Sequence, residues 1–88
     1  MPRVEKEVKI KSPQGLHARP AAMFVQIASK YNSVINVCKD GQKVNGKSIM
    51  GILTLAAQLG QVVIIEADGD DAEALVNELE NLLLDETI

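Results

Sequence analysis

The segment 15–21, Gly-Leu-His-Ala-Arg-Pro-Ala, holds the residues of this chain that are best suited to chemistry on an anion. His17 is the single histidine, and it stands where a loop gives way to a helix. Pro20 tolerates the first turn of a helix and disfavours helical geometry at the residue before it, so we expect the helix to begin close to Pro20. The amides of Ala18 and Arg19 then have no helical partner, and with the helix dipole they form an anion site. The planar guanidinium of Arg19 matches phosphate oxygens.

Two interpretations of His17 remain open from the spacing alone. In one, His17 is a nucleophile beside an oxyanion cradle and a fixed cation. In the other, His17 caps the helix or lies on the surface, and Arg19 is solvated. A metal site and a hydrolytic triad are not expected, because there is no second histidine, Cys38 is the single cysteine and no acid lies near His17 in sequence.

The hydrophobic periodicities predict the element order β-α-β-β-α-β-α. The predicted strands cover Val4–Lys11, Ser33–Lys39, Gln42–Asn45 and Val62–Ala67, and the predicted helices run from about Ala18 to Lys30, from Ser48 to near Gly60, and onward from Asp70. Asp40-Gly41 is a strong signal for a two-residue hairpin turn. Strands with one polar face need helices on the other face only, so the pattern predicts an α+β, two-layer open-faced sandwich with an antiparallel sheet.

Apolar spacing also predicts which helix residues are buried. The last helix carries a stripe of five apolar residues, Leu75, Val76, Leu79, Leu82 and Leu83, and Asp70 with Glu73 forms a capping signature at its start. Ser48 is a suitable N-cap for the middle helix. In that helix, Ile52 and Leu55 are assigned to the core.

Length and composition predict one domain over residues 1–88, without a membrane span or a signal segment. The single cysteine fits a reducing cytoplasm. Only two aromatic residues are present, so the stacking platforms of single-strand nucleic-acid binding are missing. The net charge of −3 divides into +6 over residues 1–48 and −9 over residues 49–88. Such a division either orients an incoming partner or merely solvates the acidic last helix.

Residues 15–21 resemble the active-site signature of HPr, the histidine-containing phosphocarrier family of the bacterial phosphoenolpyruvate-dependent phosphotransferase system. Residues 47–53, Lys-Ser-Ile-Met-Gly-Ile-Leu, resemble the regulatory serine and short helix of the same family, in its Gram-positive form. The resemblance implies a four-stranded sheet of order 1-4-2-3 with three helices on one face. It also implies that His17 accepts a phosphoryl group through Nδ1, and that Arg19 and the backbone amides of Ala18 and Arg19 hold it.

The resemblance further implies a carrier that is not itself an enzyme and needs no cofactor. Enzyme I would charge His17, and the A components of sugar permeases would receive the phosphoryl group. A partner-docking patch would comprise Ile49, Met50 and Leu53, with Met23 at its border. The expected protein is a cytoplasmic monomer that neither enters a membrane nor binds nucleic acid directly.

Ser48 has two interpretations. As in Gram-positive relatives, an HPr kinase/phosphorylase would modify it and so link the protein to a catabolite-control repressor; alternatively, it is only a helix cap worth about 1 kcal/mol. Two other functions remain as alternatives for the whole chain. One is a phosphocarrier of a nitrogen-related branch, and the other is a mainly regulatory co-repressor partner. Relatives of the latter kind lack the active-site histidine, so His17 argues against it.

Overall fold

A computed structural model of the chain describes residues 2–88. Its elements are β1 (Arg3–Lys9), α1 (Ala18–Ala28), β2 (Val34–Lys39), β3 (Gln42–Asn45), α2 (Ile49–Thr54), β4 (Val62–Asp68) and α3 (Ala72–Leu83). The four strands form one sheet in the order β1-β4-β2-β3, and every neighbouring pair is antiparallel. The predicted element order, the sheet order and the open-faced sandwich are all confirmed.

Alternation of buried and exposed residues along the strands explains why helices cover only one face of the sheet. Val8, Val37 and Ile65 are buried against the helices, and their sequence neighbours face the other side. On that open face Glu66 lies directly opposite Glu5. This like-charge pair is tolerated because Lys43 lies 3.1 Å from the Glu66 carboxylate, and its hydrogen bond is the main reason that the pKa of Glu66 is lowered.

Asp40 and Gly41 form the turn between β2 and β3, with Lys39 paired to Gln42 on either side. Both turn residues have positive φ, 50° at Asp40 and 82° at Gly41. These are the backbone signs of a type I′ turn, whose twist matches that of the flanking strands. The hairpin predicted at this dipeptide is therefore confirmed.

The apolar stripe of α3 is buried as predicted, with Leu75 and Leu79 fully inaccessible. Burying one such side chain contributes about 1.5 to 3 kcal/mol. Polar contacts also tie α3 to the chain just after α1: Glu78 accepts hydrogen bonds from the Tyr31 hydroxyl at 2.6 Å and the Lys30 amine at 2.8 Å. The core beneath the helices is thus aliphatic, with Phe24 as its one fully buried aromatic residue.

The start of α1 at Ala18 agrees with the apolar spacing, which predicted a helix from about Ala18. It differs from the start close to Pro20 that the proline argument predicted. The first α-helical hydrogen bond runs from the Ala21 amide to the His17 carbonyl at 3.0 Å. Pro20 therefore occupies the third helical position, where its missing amide would have had no helical acceptor in any case.

Two other helix ends also differ. The helix α2 ends at Thr54, six residues before Gly60, because Ala56 adopts a positive φ of 50° that stops it. Asp71, not Asp70, is the N-cap residue of α3. The Asp71 carboxylate turns away from its own helix and accepts hydrogen bonds from the Asn32 amide at 2.8 Å and from the amide and hydroxyl of Ser33. The capping signature predicted at Asp70 and Glu73 was wrong, because the helix begins one residue later and the carboxylate of its actual N-cap residue makes this tertiary contact instead.

Candidate functional site

The loop before α1 is fixed by main-chain hydrogen bonds on both sides of Leu16. The Gly15 amide donates to the Ser12 carbonyl at 3.0 Å, and the Leu16 amide donates to the Ala57 carbonyl at 2.8 Å. Leu16 itself is buried. The loop is therefore tied both to its own start and to the segment that follows α2.

Gly15 is required by this arrangement. Its φ of +73° lies in the left-handed region, and a Cβ atom there would meet the Gln58 Cα at 2.9 Å and lie closer still to the Ala57 carbonyl oxygen. Only glycine lets the two backbones approach in this way. The position of the next residues along the chain, including His17, depends on that approach.

His17 is the N-cap residue of α1, with extended backbone angles of −81° and −173°. Its side chain is half-buried and makes no capping hydrogen bond to the helix. The interpretation that His17 occupies the N-cap position of the helix is therefore confirmed, but its imidazole does not cap the helix. The amides of Ala18 and Arg19 precede the first helical hydrogen bond, as the sequence predicted.

Arg19 is exposed in the first turn of α1, and that turn contains no acidic residue. Within residues 2–88, no ion pair involves the Arg19 guanidinium. A planar guanidinium without an ion pair can donate two hydrogen bonds to one oxyanion.

A concave pocket of about 240 Å³ lies between His17 and Arg19. Its other lining residues are Pro13, Gln14, Thr87 and Ile88. Sequence reasoning missed Thr87 and Ile88, because no local pattern signals a contact across 70 residues of chain.

Ser48 is the N-cap residue of α2, as predicted. Its hydroxyl oxygen accepts a hydrogen bond from the Gly51 amide at 3.1 Å, and the residue is half-buried. The adjacent Lys47 extends its amine to the Tyr31 carbonyl at 2.8 Å, which ties the start of α2 to the chain just after α1. The helix α2 also packs against α1.

The apolar residues near Ser48 divide between surface and core. Ile49 and Met50 are exposed, at 41% and 71%. Leu53 and Met23 are half-buried and pack against the core. Ile52 is fully buried, and Leu55 is buried as well. The exposed part of the predicted docking patch is therefore narrower than the four residues named from the sequence.

Neither a metal centre nor a membrane span is found in the part of the chain that the structure describes. Residues 2–88 contain no group of three or more His, Cys, Asp or Glu side chains that could hold a metal ion. No helix within that range is both long and apolar enough to cross a bilayer.

The protein is thus a small open-faced sandwich in which a histidine and an arginine lie together at the start of a helix. Residues 4–85 match the sequence model of the family described as the PTS HPr component phosphorylation site. The chain is 46% identical over 76 residues to the HPr-like protein Crh of Halalkalibacterium halodurans, covering 86% of this chain and 90% of that one.

Solved structures agree with the sequence match. The phosphocarrier protein HPr from Bacillus anthracis is 42% identical with a TM-score of 0.90, covering 94% of this chain and 99% of that one. Crh, a catabolite repression protein of Bacillus subtilis whose structure is described as a dimer with a swapping domain, is 40% identical with a TM-score of 0.77, covering 97% and 98%. The chain belongs to the HPr family of phosphocarriers of the phosphotransferase system.

Proposed function

We propose that residues 1–88 form one phosphocarrier domain of the sugar phosphotransferase system. His17 accepts a phosphoryl group from phospho-enzyme I and passes it to the A components of sugar permeases. The observation that carries this proposal is the small pocket at the start of α1, shared by His17 and Arg19. Family membership supports it independently.

The chemistry needs little from the carrier beyond position and charge. The Nδ1 lone pair of His17 attacks phosphorus, the phosphorus–nitrogen bond forms and the bond to enzyme I breaks. In the next step an acceptor on the permease component attacks the same phosphorus, and the imidazole leaves. The Arg19 guanidinium and the amides of Ala18 and Arg19 offset the charge of the phosphoryl oxygens in both steps. Acting alone, the protein turns over no substrate.

The direct test is incubation with phosphoenolpyruvate and enzyme I, followed by intact mass measurement. We expect a mass increase of one phosphoryl group that is lost on acid treatment. His17→Ala should fold normally and gain nothing, because the chain has no other histidine. An acid-labile adduct formed on His17→Ala at the normal rate contradicts the assignment.

We propose that Ser48 is a regulatory phosphorylation site for an HPr kinase/phosphorylase, and that the modified protein binds a catabolite-control repressor. Ile49, Met50 and Leu53, with Met23 at the border, form the docking patch for these partners and for enzyme I. The exposed thioether of Met50 suits a surface that adapts to several partners. Incubation with the kinase and ATP should modify the wild type and leave Ser48→Ala unmodified. Equal modification of both proteins excludes Ser48.

A second candidate function is a mainly regulatory HPr-like role, which the 46% identity to Crh favours. The two functions separate in one reconstituted mixture that contains enzyme I, a permease A component and the repressor. A carrier transfers phosphoryl through His17 to the A component, whereas a purely regulatory protein binds the repressor and transfers none. Replacing the sugar A component with one of a nitrogen-related system tests the branch.

We propose that the protein works as a monomer in the cytoplasm. Cys38 is a free thiol and the single cysteine of the chain, which fits a reducing compartment. The relative from Bacillus subtilis is described as a dimer, so sedimentation velocity at several concentrations is the appropriate test. A concentration-independent dimer contradicts the monomer proposal.

A further inference from the structure

The segment that follows α3, residues 84–88, forms one wall of the pocket beside His17. Thr87 and Ile88 line the pocket opposite Pro13 and Gln14. This wall is distant in sequence from every other part of the site. Its position must therefore be set by specific contacts, and the structure shows two anchors.

The first anchor is a turn within the segment itself. The Asp85 carboxylate accepts hydrogen bonds from the Thr87 amide at 2.8 Å and the Thr87 hydroxyl at 2.6 Å. The hydroxyl bond is the main reason that the pKa of Asp85 is lowered. Because this hydroxyl is already engaged by Asp85, Thr87 contributes a surface to the pocket and not a ligand.

The second anchor is Ser12, which lies at the start of the His17 loop and is only 3% exposed. Its hydroxyl donates to the main-chain oxygen of Ile88, 76 residues away. The Ile88 side chain packs against the core. Just before the segment, the Lys11 amide donates to the Leu83 carbonyl at 3.1 Å. The wall is thus fastened to the same stretch of chain that carries the histidine.

We propose that residues 84–88 shield a phosphoryl group on His17 from water, and that Ser12 and Asp85 are the positioning residues that keep this wall closed. The proposal rests on the proposed role of His17. Without the wall, a water oxygen attacks phosphorus, the phosphorus–nitrogen bond breaks, the imidazole nitrogen takes up a proton and phosphate departs. A carrier gains from suppressing this step, because hydrolysis discards the group that it must deliver.

The test compares the lifetime of the phosphohistidine in four proteins after enzyme I has been removed. Ser12→Ala and Asp85→Ala each remove one anchor, and Ser29→Ala is a control at an exposed serine that ends α1. Loss of one hydrogen bond should raise the open population by about two- to tenfold, and the hydrolysis rate should rise by the same factor. The control should match the wild type. Phosphorus NMR follows the decay, and amide exchange of the unphosphorylated proteins reports opening of residues 84–88.

The outcomes separate this inference from the proposed function. Faster decay in both anchor variants, together with faster amide exchange across residues 84–88, supports the wall. Equal lifetimes in all four proteins refute the wall and leave the carrier role standing, as does faster decay with unchanged amide exchange. If the wild type takes up no phosphoryl group at all, the carrier role fails and this inference fails with it.

Discussion

Gly15→Ala offers a sharp test of how the histidine loop is positioned, because the structure contains a matched control. Gly15 and Gly60 both have positive φ, at +73° and +86°. A Cβ at Gly60 meets nothing within 4 Å, whereas a Cβ at Gly15 lies 2.9 Å from the Gln58 Cα and closer to the Ala57 carbonyl oxygen. The two alanine variants thus share the cost of the left-handed backbone and differ in the collision.

The expected free energies follow from these contacts. Left-handed backbone costs a residue with a Cβ about 1 to 2 kcal/mol, and this applies to both variants. Alanine also loses less conformational entropy than glycine on folding, which returns about 0.4 to 1 kcal/mol in both. At Gly15 the collision with backbone adds about 1 to 3 kcal/mol. Separation of the two segments also breaks the hydrogen bond from Leu16 to Ala57, worth about 0.5 to 1.5 kcal/mol. We therefore expect Gly15→Ala to be less stable than Gly60→Ala by about 2 to 4 kcal/mol.

Urea unfolding of the wild type and both variants measures this difference. Phosphoryl acceptance from enzyme I, measured under conditions where all three proteins are folded, should fall in Gly15→Ala and stay near the wild-type rate in Gly60→Ala. The reason is that the His17 loop must move to relieve the collision. Equal stability of the two variants refutes the steric argument. A large loss of stability with unchanged acceptance shows that the approach of Gly15 to Ala57 supports the fold without positioning the histidine.

Three further substitutions test separate parts of the site and the fold. Arg19→Lys keeps the charge and loses the planar guanidinium, so phosphoryl transfer should slow about tenfold, or about 1.4 kcal/mol in the barrier, at an unchanged melting temperature. Unchanged transfer kinetics would show that Arg19 is only a solvated residue. Ser48→Asp should melt no lower than the wild type, since a carboxylate at the N-cap position also caps the helix. It should accept phosphoryl more slowly, with a defect that eases at high salt. Acceptance at the wild-type rate, also after enzymatic phosphorylation of Ser48, would show that Ser48 is only a helix cap. The pKa of Asp71 is lowered from 3.8, first by the Ser33 hydroxyl, so its stabilisation is complete above that value and is lost as pH falls towards the folded pKa. The difference in free energy of unfolding between the wild type and Asp71→Asn, measured by urea unfolding, should therefore shrink below about pH 4. A difference that is constant with pH contradicts this account, as does the same difference for Asp70→Asn.

Local patterns predicted those features of the fold that local physics decides. Alternation along the strands identified the buried faces of Val8 and Val37, and the dipeptide Asp40-Gly41 identified the hairpin because few residues tolerate positive φ. The order of the sheet came from the family resemblance, since periodicity says which face of a strand is buried and not which strand lies beside it.

The errors lie at helix ends, where tertiary contacts compete with capping signals. The Asp71 carboxylate accepts hydrogen bonds from the chain before β2 and not from its own helix. A local sequence pattern does not reveal that Asp71 and Ser33 lie close together in the fold. Only part of the pocket was predicted, because its other part also depends on tertiary contacts. His17 and Arg19 are close in sequence and were found together, whereas Thr87 and Ile88 reach the site only through the fold.

The histidine loop lies where three distant segments of chain meet: its own strand-to-helix connection, the turn after α2 at Ala57, and the segment after α3. Hydrogen bonds from Leu16 to Ala57 and from Ser12 to Ile88 tie the three together. Arg19 is left outside these ties, exposed and without an ion pair among residues 2–88. A histidine on an anchored loop beside an exposed cation suits the proposed function, in which a phosphoryl group is taken up and then released. In the proposed transfer, the anchored loop would hold His17 in one position for both partners, and the Arg19 guanidinium would offset the charge of the phosphoryl oxygens in both steps.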